Sequence, residues 1–375
     1  WSPEGARESP WPLSEAQAHA VRALGIEGAL AVPWRMRYAD RQPAAHLIGF
    51  LAQQPDRMEA LYGDRVRSGR LRGNAPIGAA GLELAFDRFL LGAGETGIRV
   101  YADGTGRKLM EGLGVKTAGG GGGYYPFRLV TTIDAALQEA AESAADKAGL
   151  AEGAVVVLDA RTADILAMVS RPAFDPRRPG NAGDAWVNRA LRAVPPGSVM
   201  KTFIAAAALE LGAVKPRERF FCSGNYGRYG LTCWKKGGHG RISFEDALAQ
   251  SCNIAFAAVG ERMTGPQLQA FAEKLGLAGT VGWRGLSGID GRAVVQLPEE
   301  EPSRLFAPDS PLIDGGVLAQ TAIGQRDARL TPLAAANWMA TLLRGGPAAA
   351  PRAATSLRAA DGVALDRYKA AIVPG

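Results

Sequence analysis

Histidine and cysteine are scarce: three of each in 375 residues. His19, His46 and His239 stand far apart in unlike contexts, with no HExxH and no paired Cys/His spacing. That argues against a zinc hydrolase, and neither a metal nor a cofactor is expected. A Ser-His-Asp triad would have to recruit one of these histidines, and no G-x-S-x-G elbow is present. Hydrolytic or acyl-transfer chemistry therefore calls for a base other than histidine. Cys222, Cys233 and Cys252 are odd in number, so they cannot all pair. Cys222 and Cys233 bracket a Gly/Tyr-rich loop. A disulfide across it in an oxidising compartment and two free thiols are both open readings. Cys252 lies in an apolar run and reads as a buried free thiol.

Long apolar runs are also missing. No segment is long enough to span a bilayer, and no signal peptide is visible. The chain starts at Trp1 without Met, as a processed ectodomain would, so a membrane anchor outside it is compatible. Aromatic residues are only 7%, and the excess of Lys+Arg (43) over Asp+Glu (37), +6 overall, is spread along the chain. Without basic blocks or stacking aromatics, nucleic acid is a poor partner. A polyanionic surface such as a wall or membrane suits the charge better. What is present is core-forming material: 47% hydrophobic and 21% charged residues, enough for two or three domains. The 48 glycines and 23 prolines imply many turns, without a collagen period.

Residues 1 to about 123 form one compositional zone of Gly-rich turns and short apolar runs such as Ala44 to Phe50. Gly81 to Leu90 has helical spacing and stops at Gly92. Gly119 to Gly123 reads as a flexible linker or as a loop within a domain. Tyr124 and Tyr125 read as packing residues at the junction. Beyond it, Phe127 to Ile133 is strand-like and Asp134 caps a helix through Lys147. Gly153 to Asp159 and Ile165 to Val169 read as a hairpin. Pro195-Pro196-Gly197 breaks the chain, and an Ala-rich helix follows from Ser198 to about Leu211. Further helices are expected from Phe244 to Ala249 and from Ile254 to Met263.

Ser198-Val199-Met200-Lys201 places a serine at a helix N-terminus and a lysine one turn later on the same face. A lysine desolvated there loses basicity, and its neutral amine can activate the hydroxyl. The helix N-terminus favours negative charge on the serine oxygen. Such a tetrad also arises by chance about once in a few hundred residues, and serine is simply a good cap. Ser251-Cys252-Asn253, between two helical segments, adds a hydroxyl to relay a proton and an amide to orient a carbonyl. By itself it could be a polar interhelical turn.

Together these residues resemble the penicillin-binding proteins, in the order and spacing of S-x-x-K and S-x-N. Leu129 to Asp134 with Leu137-Gln138, Ala154 to Asp159, Ile165 to Ser170, Asn188-Arg189-Ala190, Gly324-Gln325 and Thr331-Pro332-Leu333 resemble the class B, monofunctional transpeptidase branch. Ala44 to Gly49 and Gly81-Leu82-Glu83 resemble its non-catalytic pedestal. The resemblance implies an α+β protein. A pedestal would cover residues 1–123, and a transpeptidase domain with a β-sheet flanked by helices would cover 124–375.

It further implies a membrane-anchored, extracytoplasmic D,D-transpeptidase that cross-links peptidoglycan stem peptides delivered on a lipid-linked precursor. β-Lactam antibiotics would acylate it, and a membrane glycosyltransferase would be its partner. Ser198 would be the nucleophile, Lys201 the base, Ser251 the proton carrier and Asn253 a ligand of the substrate amide. Gly197 and Cys252 would line the substrate site, and the Ser198 N–H would give half an oxyanion hole.

The sequence departs from the family in one respect. No K-T-G or K-S-G follows Thr331, and Lys116-Thr117-Ala118-Gly119 precedes the domain and lacks the immediate glycine. A further C-terminal segment is expected to carry that strand, which would bind the substrate carboxylate and give the second oxyanion donor. A non-catalytic scaffold that binds the glycosyltransferase through residues 1–120 is the alternative. A secreted β-lactamase fits the large N-terminal region poorly. Arg326 after Gly324-Gln325 stands where relatives often have glycine. The loop from Cys222 to Gly240 reads either as a lip beside the active site or as a stapled surface loop with aromatic anchors in the core.

Overall fold

The computed structural model describes residues 13–26, 31, 37–91, 97–98, 117–118, 127–308 and 314–373. The glycine run and Tyr124-Tyr125 lie outside them. The chain divides into two compact units: residues 1–42 with 94–120, and residues 43–93 with 121–375. In the first, Glu15–Ala23 is a helix closed by a capping box, Ser14 accepting from the Gln17 amide while the Gln17 side chain accepts from the Ser14 N–H. Gly97–Ile98 pairs antiparallel with Thr117–Ala118.

The larger unit holds the strands and helices expected for an α+β domain. Arg128–Thr131 pairs antiparallel with Ala354–Arg358, which pairs in turn with Ala364–Arg367. Gly153–Leu158 and Ile165–Arg171 form the expected hairpin. Asp134 caps the helix Ala135–Lys147 by accepting from the Leu137 N–H. Two glutamines, each with no exposed surface, extend the sheet hydrogen bonding into side chains. The Gln138 amide both accepts from the Met168 N–H at 2.8 Å and donates to the Met168 carbonyl at 3.0 Å. The Gln296 amide does the same for Ala353 and Ala354. Thr132 Oγ1 contacts the carbonyls of Ile165 and Arg352, and the Arg352 guanidinium grips Asp164 with two contacts of 2.7 and 2.9 Å. Distant stretches are thereby tied where buried polar groups would otherwise be unpaired.

Residues 43–93 belong to this unit physically. Leu47, Leu82, Phe86 and Phe89 share one buried cluster with Ile165, Met168, Trp283, Leu357 and Tyr368. The expected Gly81 to Leu90 helix is two short ones, Gly81–Ala85 and Asp87–Leu90, broken at Phe86. The buried Phe86 ring packs on Tyr368 at 5.4 Å. A second cluster surrounds Met200–Glu210, a helix buried at Met200, Lys201, Phe203, Ile204, Ala205, Ala207 and Ala208. A helix apolar on nearly every side must sit inside the domain. Its single buried charge is the Lys201 ammonium.

Candidate active site

Gly197–Val199 is a 3-10 turn that runs into the helix Met200–Glu210, so Ser198 stands at a helix entrance as expected. Two backbone arrangements fix it there. Val194 bridges Leu330, and the Gly197 N–H donates to the Gly324 carbonyl at 3.0 Å. Gly324 has φ +73°, and a Cβ on it would stand 1.9 Å from the Gly197 carbonyl oxygen, so only glycine fits. Trp338 anchors the same turn from the side. Its indole N–H donates to Thr202 Oγ1 at 2.8 Å.

Ser198 is exposed, whereas Lys201, one turn on, is 1% exposed. Lys201 Nζ lies 3.0 Å from Ser198 Oγ, 2.8 Å from Ser251 Oγ, 3.0 Å from the Ser251 carbonyl and 2.7 Å from Asn253 Oδ1. Ser251 Oγ donates to Ser198 Oγ at 3.0 Å. Burial lowers the Lys201 amine to a pKa of about 8. A nucleophile, a weakened base and a second hydroxyl thus form a closed triangle open to solvent on the serine side.

Ser251 and Asn253 come from the break between the helices Phe244–Ala249 and Asn253–Gly260. Ser251 has φ +54°, a left-handed backbone that a non-glycine residue adopts at a cost. The turn aims its hydroxyl at Lys201. Asn253 Nδ2 donates to the Thr232 carbonyl at 3.0 Å, and the Trp234 indole N–H donates to the Gln250 carbonyl at 3.1 Å. The loop 223–239 is therefore bonded to both sides of Ser251. Of its aromatics, Tyr226 packs against the core, while Trp234 is 65% and Tyr229 45% exposed. Tyr226, Tyr229 and Arg228 converge instead on the Glu261 carboxylate. Gly197 precedes the serine at φ +54°.

The cysteines take the free-thiol reading that the sequence left open. All three are free, and the thiol of the fully buried Cys252 turns toward Cys222, Cys233 and His239. The four donor atoms lie within 4.8 Å of one another. The spacing of these residues shows no paired motif. They meet because Arg219–Cys222 and Gly240–Ser243 pair with Cys222 opposite Gly240, beside His239. Gly238 at φ +80° lets the loop close on Cys222, where a Cβ would stand 2.0 Å from the Cys222 carbonyl oxygen. Three thiols and one imidazole thus stand together, a grouping that their sequence spacing does not announce.

Residues 153–371 match the family described as the penicillin binding protein transpeptidase domain. The chain belongs to this family. Within it, the chain is a class B penicillin-binding protein by its relatives. It is 30% identical over 315 residues to the peptidoglycan D,D-transpeptidase PbpA of Mycolicibacterium smegmatis, covering 76% of this chain and 57% of that one. It resembles the imipenem acyl-enzyme of penicillin-binding protein A from M. tuberculosis with a TM-score of 0.52 and 28% identity, covering 66% of this chain and 59% of that one. It also resembles a chain of a peptidoglycan synthase complex described as coordinating polymerization and crosslinking, with a TM-score of 0.62, 25% identity, and coverage of 89% and 59%. This penicillin-binding protein chain spans about half the length of the curated relatives it matches.

Proposed function

We propose that the chain carries the acyl-serine centre of a peptidoglycan D,D-transpeptidase. The observation that supports this most is the buried Lys201 amine held within 3.0 Å of both Ser198 Oγ and Ser251 Oγ. Neutral Lys201 takes the Ser198 proton as Oγ attacks the D-Ala-D-Ala carbonyl. The Ser198 N–H at the helix entrance faces the developing oxyanion. Ser251, bonded to both Lys201 and Ser198, passes a proton to the departing D-Ala amine. An amine from a neighbouring stem peptide then attacks the acyl-serine, and the proton path runs in reverse. Asn253 holds Lys201 through Oδ1, and Thr232 fixes its amide.

A partner that polymerises glycan strands fits this role, and a relative seen in a synthase complex supports it. Residues 1–123 would carry the pedestal that meets this partner. The reading also places the domain outside the cytoplasmic membrane. No helix among the described residues is long and apolar enough to cross one. Ser198→Ala tests the proposal. Fluorescent penicillin should form one covalent adduct on the unaltered protein and none on the variant, whose thermal unfolding should shift little, since Ser198 Oγ is exposed, caps no backbone N–H, and a typical hydrogen bond contributes about 1 kcal/mol net. Labelling that survives in the variant would overturn the nucleophile assignment. No adduct on the unaltered protein would favour the scaffold.

A further inference from the structure

The proposed reaction leaves unused the arginines around the turn that follows Gly324. Gly324 accepts from the Gly197 N–H at 3.0 Å, Leu330 bridges Val194, and Arg329 bridges Arg304. The stretch 324–330 is thus tied at both ends to the segment 194–197 that leads into Ser198. Arg304 and Arg329 exchange both backbone hydrogen bonds at 2.8 Å, so their side chains leave the same face of the bridge. Ser303, Leu305, Ala328 and Leu330 on either side of them are buried, which turns the arginines outward. Like charges directly opposite one another repel. Among the described residues the exposed Arg304 guanidinium has no acidic partner to relieve this.

Arg326 lies two residues beyond the contact between Gly324 and Gly197. Two residues span at most about 7 Å, so its side chain is within reach of an acyl group on Ser198. Its φ of +60° is a left-handed backbone that glycine adopts more readily than arginine. Arg329 clamps that conformation, its Nη1 donating to the Arg326 carbonyl at 2.7 Å and to the Ala328 carbonyl at 2.9 Å. The Arg326 side chain itself is 41% exposed and pairs with the adjoining Asp327 carboxylate at 3.4 Å. A well-made charge-assisted bond is about 2.7–2.9 Å, so this pair leaves the guanidinium fork open to a better ligand. Glu301 does not neutralise the group, because it is engaged by Arg192 and by the Ala193 N–H. A strained turn that presents an under-compensated guanidinium beside a nucleophile is a reason to look for an anion there.

The chemistry of the site says which part of a substrate meets the turn. Ser251 and Lys201 meet Ser198 from the helix side, and the leaving amine takes its proton from Ser251. The turn meets the nucleophile from the other side, through Gly197. The two halves of a substrate extend in opposite directions from the reacting carbonyl, so the half that stays on the serine points away from Ser251. We propose that Arg326, backed by the charges of Arg304 and Arg329, binds a free carboxylate on the acyl-donor half of the substrate, and so selects donors that carry one upstream of the reacting bond. A guanidinium can take such a carboxylate with two parallel hydrogen bonds. This inference rests on the transpeptidase reading and adds to it the class of donor preferred.

Benzylpenicillin and carbenicillin test it, because they differ only by a carboxylate on the acyl side chain. Their acylation rates are read by competition with fluorescent penicillin. The ratio of the carbenicillin rate to the benzylpenicillin rate should fall by about fivefold or more in Arg326→Gly. Arg326→Gln should lower the ratio equally, although only glycine relieves the left-handed backbone. Arg326→Lys should keep part of it, as a charge without the fork. Asp327→Asn should raise it by removing the competing carboxylate. A ratio unmoved in Arg326→Gly and Arg326→Gln, through no loss or through equal losses on both penicillins, would overturn the proposal. A fall confined to Arg326→Gly would assign the effect to the backbone and overturn it as well. If neither penicillin labels the unaltered protein, the transpeptidase reading fails on its own. Saturation-transfer NMR of the two penicillins then decides. Stronger transfer to carbenicillin that is lost in Arg326→Gln supports the carboxylate site, and equal transfer in both proteins overturns it.

Discussion

Lys201 is surrounded by four oxygen atoms within 3.0 Å and is almost sealed from water. Burial disfavours its ammonium, so the native pKa of about 8 lies below the ordinary lysine value. At pH 7 about one molecule in ten holds the neutral base, against fewer than about one in a thousand for a free lysine. The acylation rate should therefore rise with pH through about 8 and level above it. Lys201→Ala should slow acylation by about 10²–10⁴ and remove that limb, read by stopped-flow labelling across pH. The sign for stability is the same. Between about pH 8 and the ordinary lysine value the unfolded chain binds one more proton than the native one, so stability rises with pH in that window. Denaturant midpoints for Lys201→Met should lack this rise. Ser198 and Lys201 were legible in the sequence because one helical turn sets their separation. Ser251 and Asn253 were legible as a hydroxyl and an amide between two helices, but the family resemblance was needed to bring them to Lys201, since a left-handed turn leaves no periodic signal. The four-donor cluster was not legible. Its members come from a strand end, a loop, a second strand's approach and a helix break, and only folding makes their spacing meaningful.

At the scale of elements, the serine helix is positioned by parts far from it in sequence. Gly324→Ala should push Gly197 away through the contact at 1.9 Å and strain a backbone at φ +73°. The expected outcome is a loss of about 1–3 kcal/mol in stability together with slower acylation, checked by thermal denaturation and penicillin labelling on the same sample. Arg326, two residues on, has φ +60° itself, a left-handed backbone that glycine adopts more readily than arginine. The hairpin Gly153–Leu158 and Ile165–Arg171 and the helix capped by Asp134 follow their local patterns. The strand Arg128–Thr131 follows its pattern too, but its partner Ala354–Arg358 could not be read from sequence. Nothing local in either segment specifies a pairing across more than two hundred residues. The break at Phe86 likewise reflects tertiary packing on Tyr368 overriding helical spacing.

At the scale of the whole molecule, composition marks a change near the glycine run, whereas packing joins residues 43–93 to the larger unit. A half-buried carboxylate shows how intimate that join is: Glu299 accepts from the Gly81 N–H at 2.6 Å, and desolvation raises its pKa above the ordinary glutamate value. A chain started at residue 124 would lose Leu47, Leu82, Phe86 and Phe89 from a shared core. It should expose apolar surface, bind a hydrophobic dye and aggregate on warming, as light scattering would show. The same join bears on biosynthesis. Gly81 meets Glu299 218 residues later, and Thr132 meets Arg352 220 residues later. At about 5–20 residues per second, a ribosome takes about 10–40 s to make the stretch between such partners. For that interval Leu82 and Phe86 lack Trp283, Leu357 and Tyr368 from their native cluster, so this core closes only when residue 368 has been made.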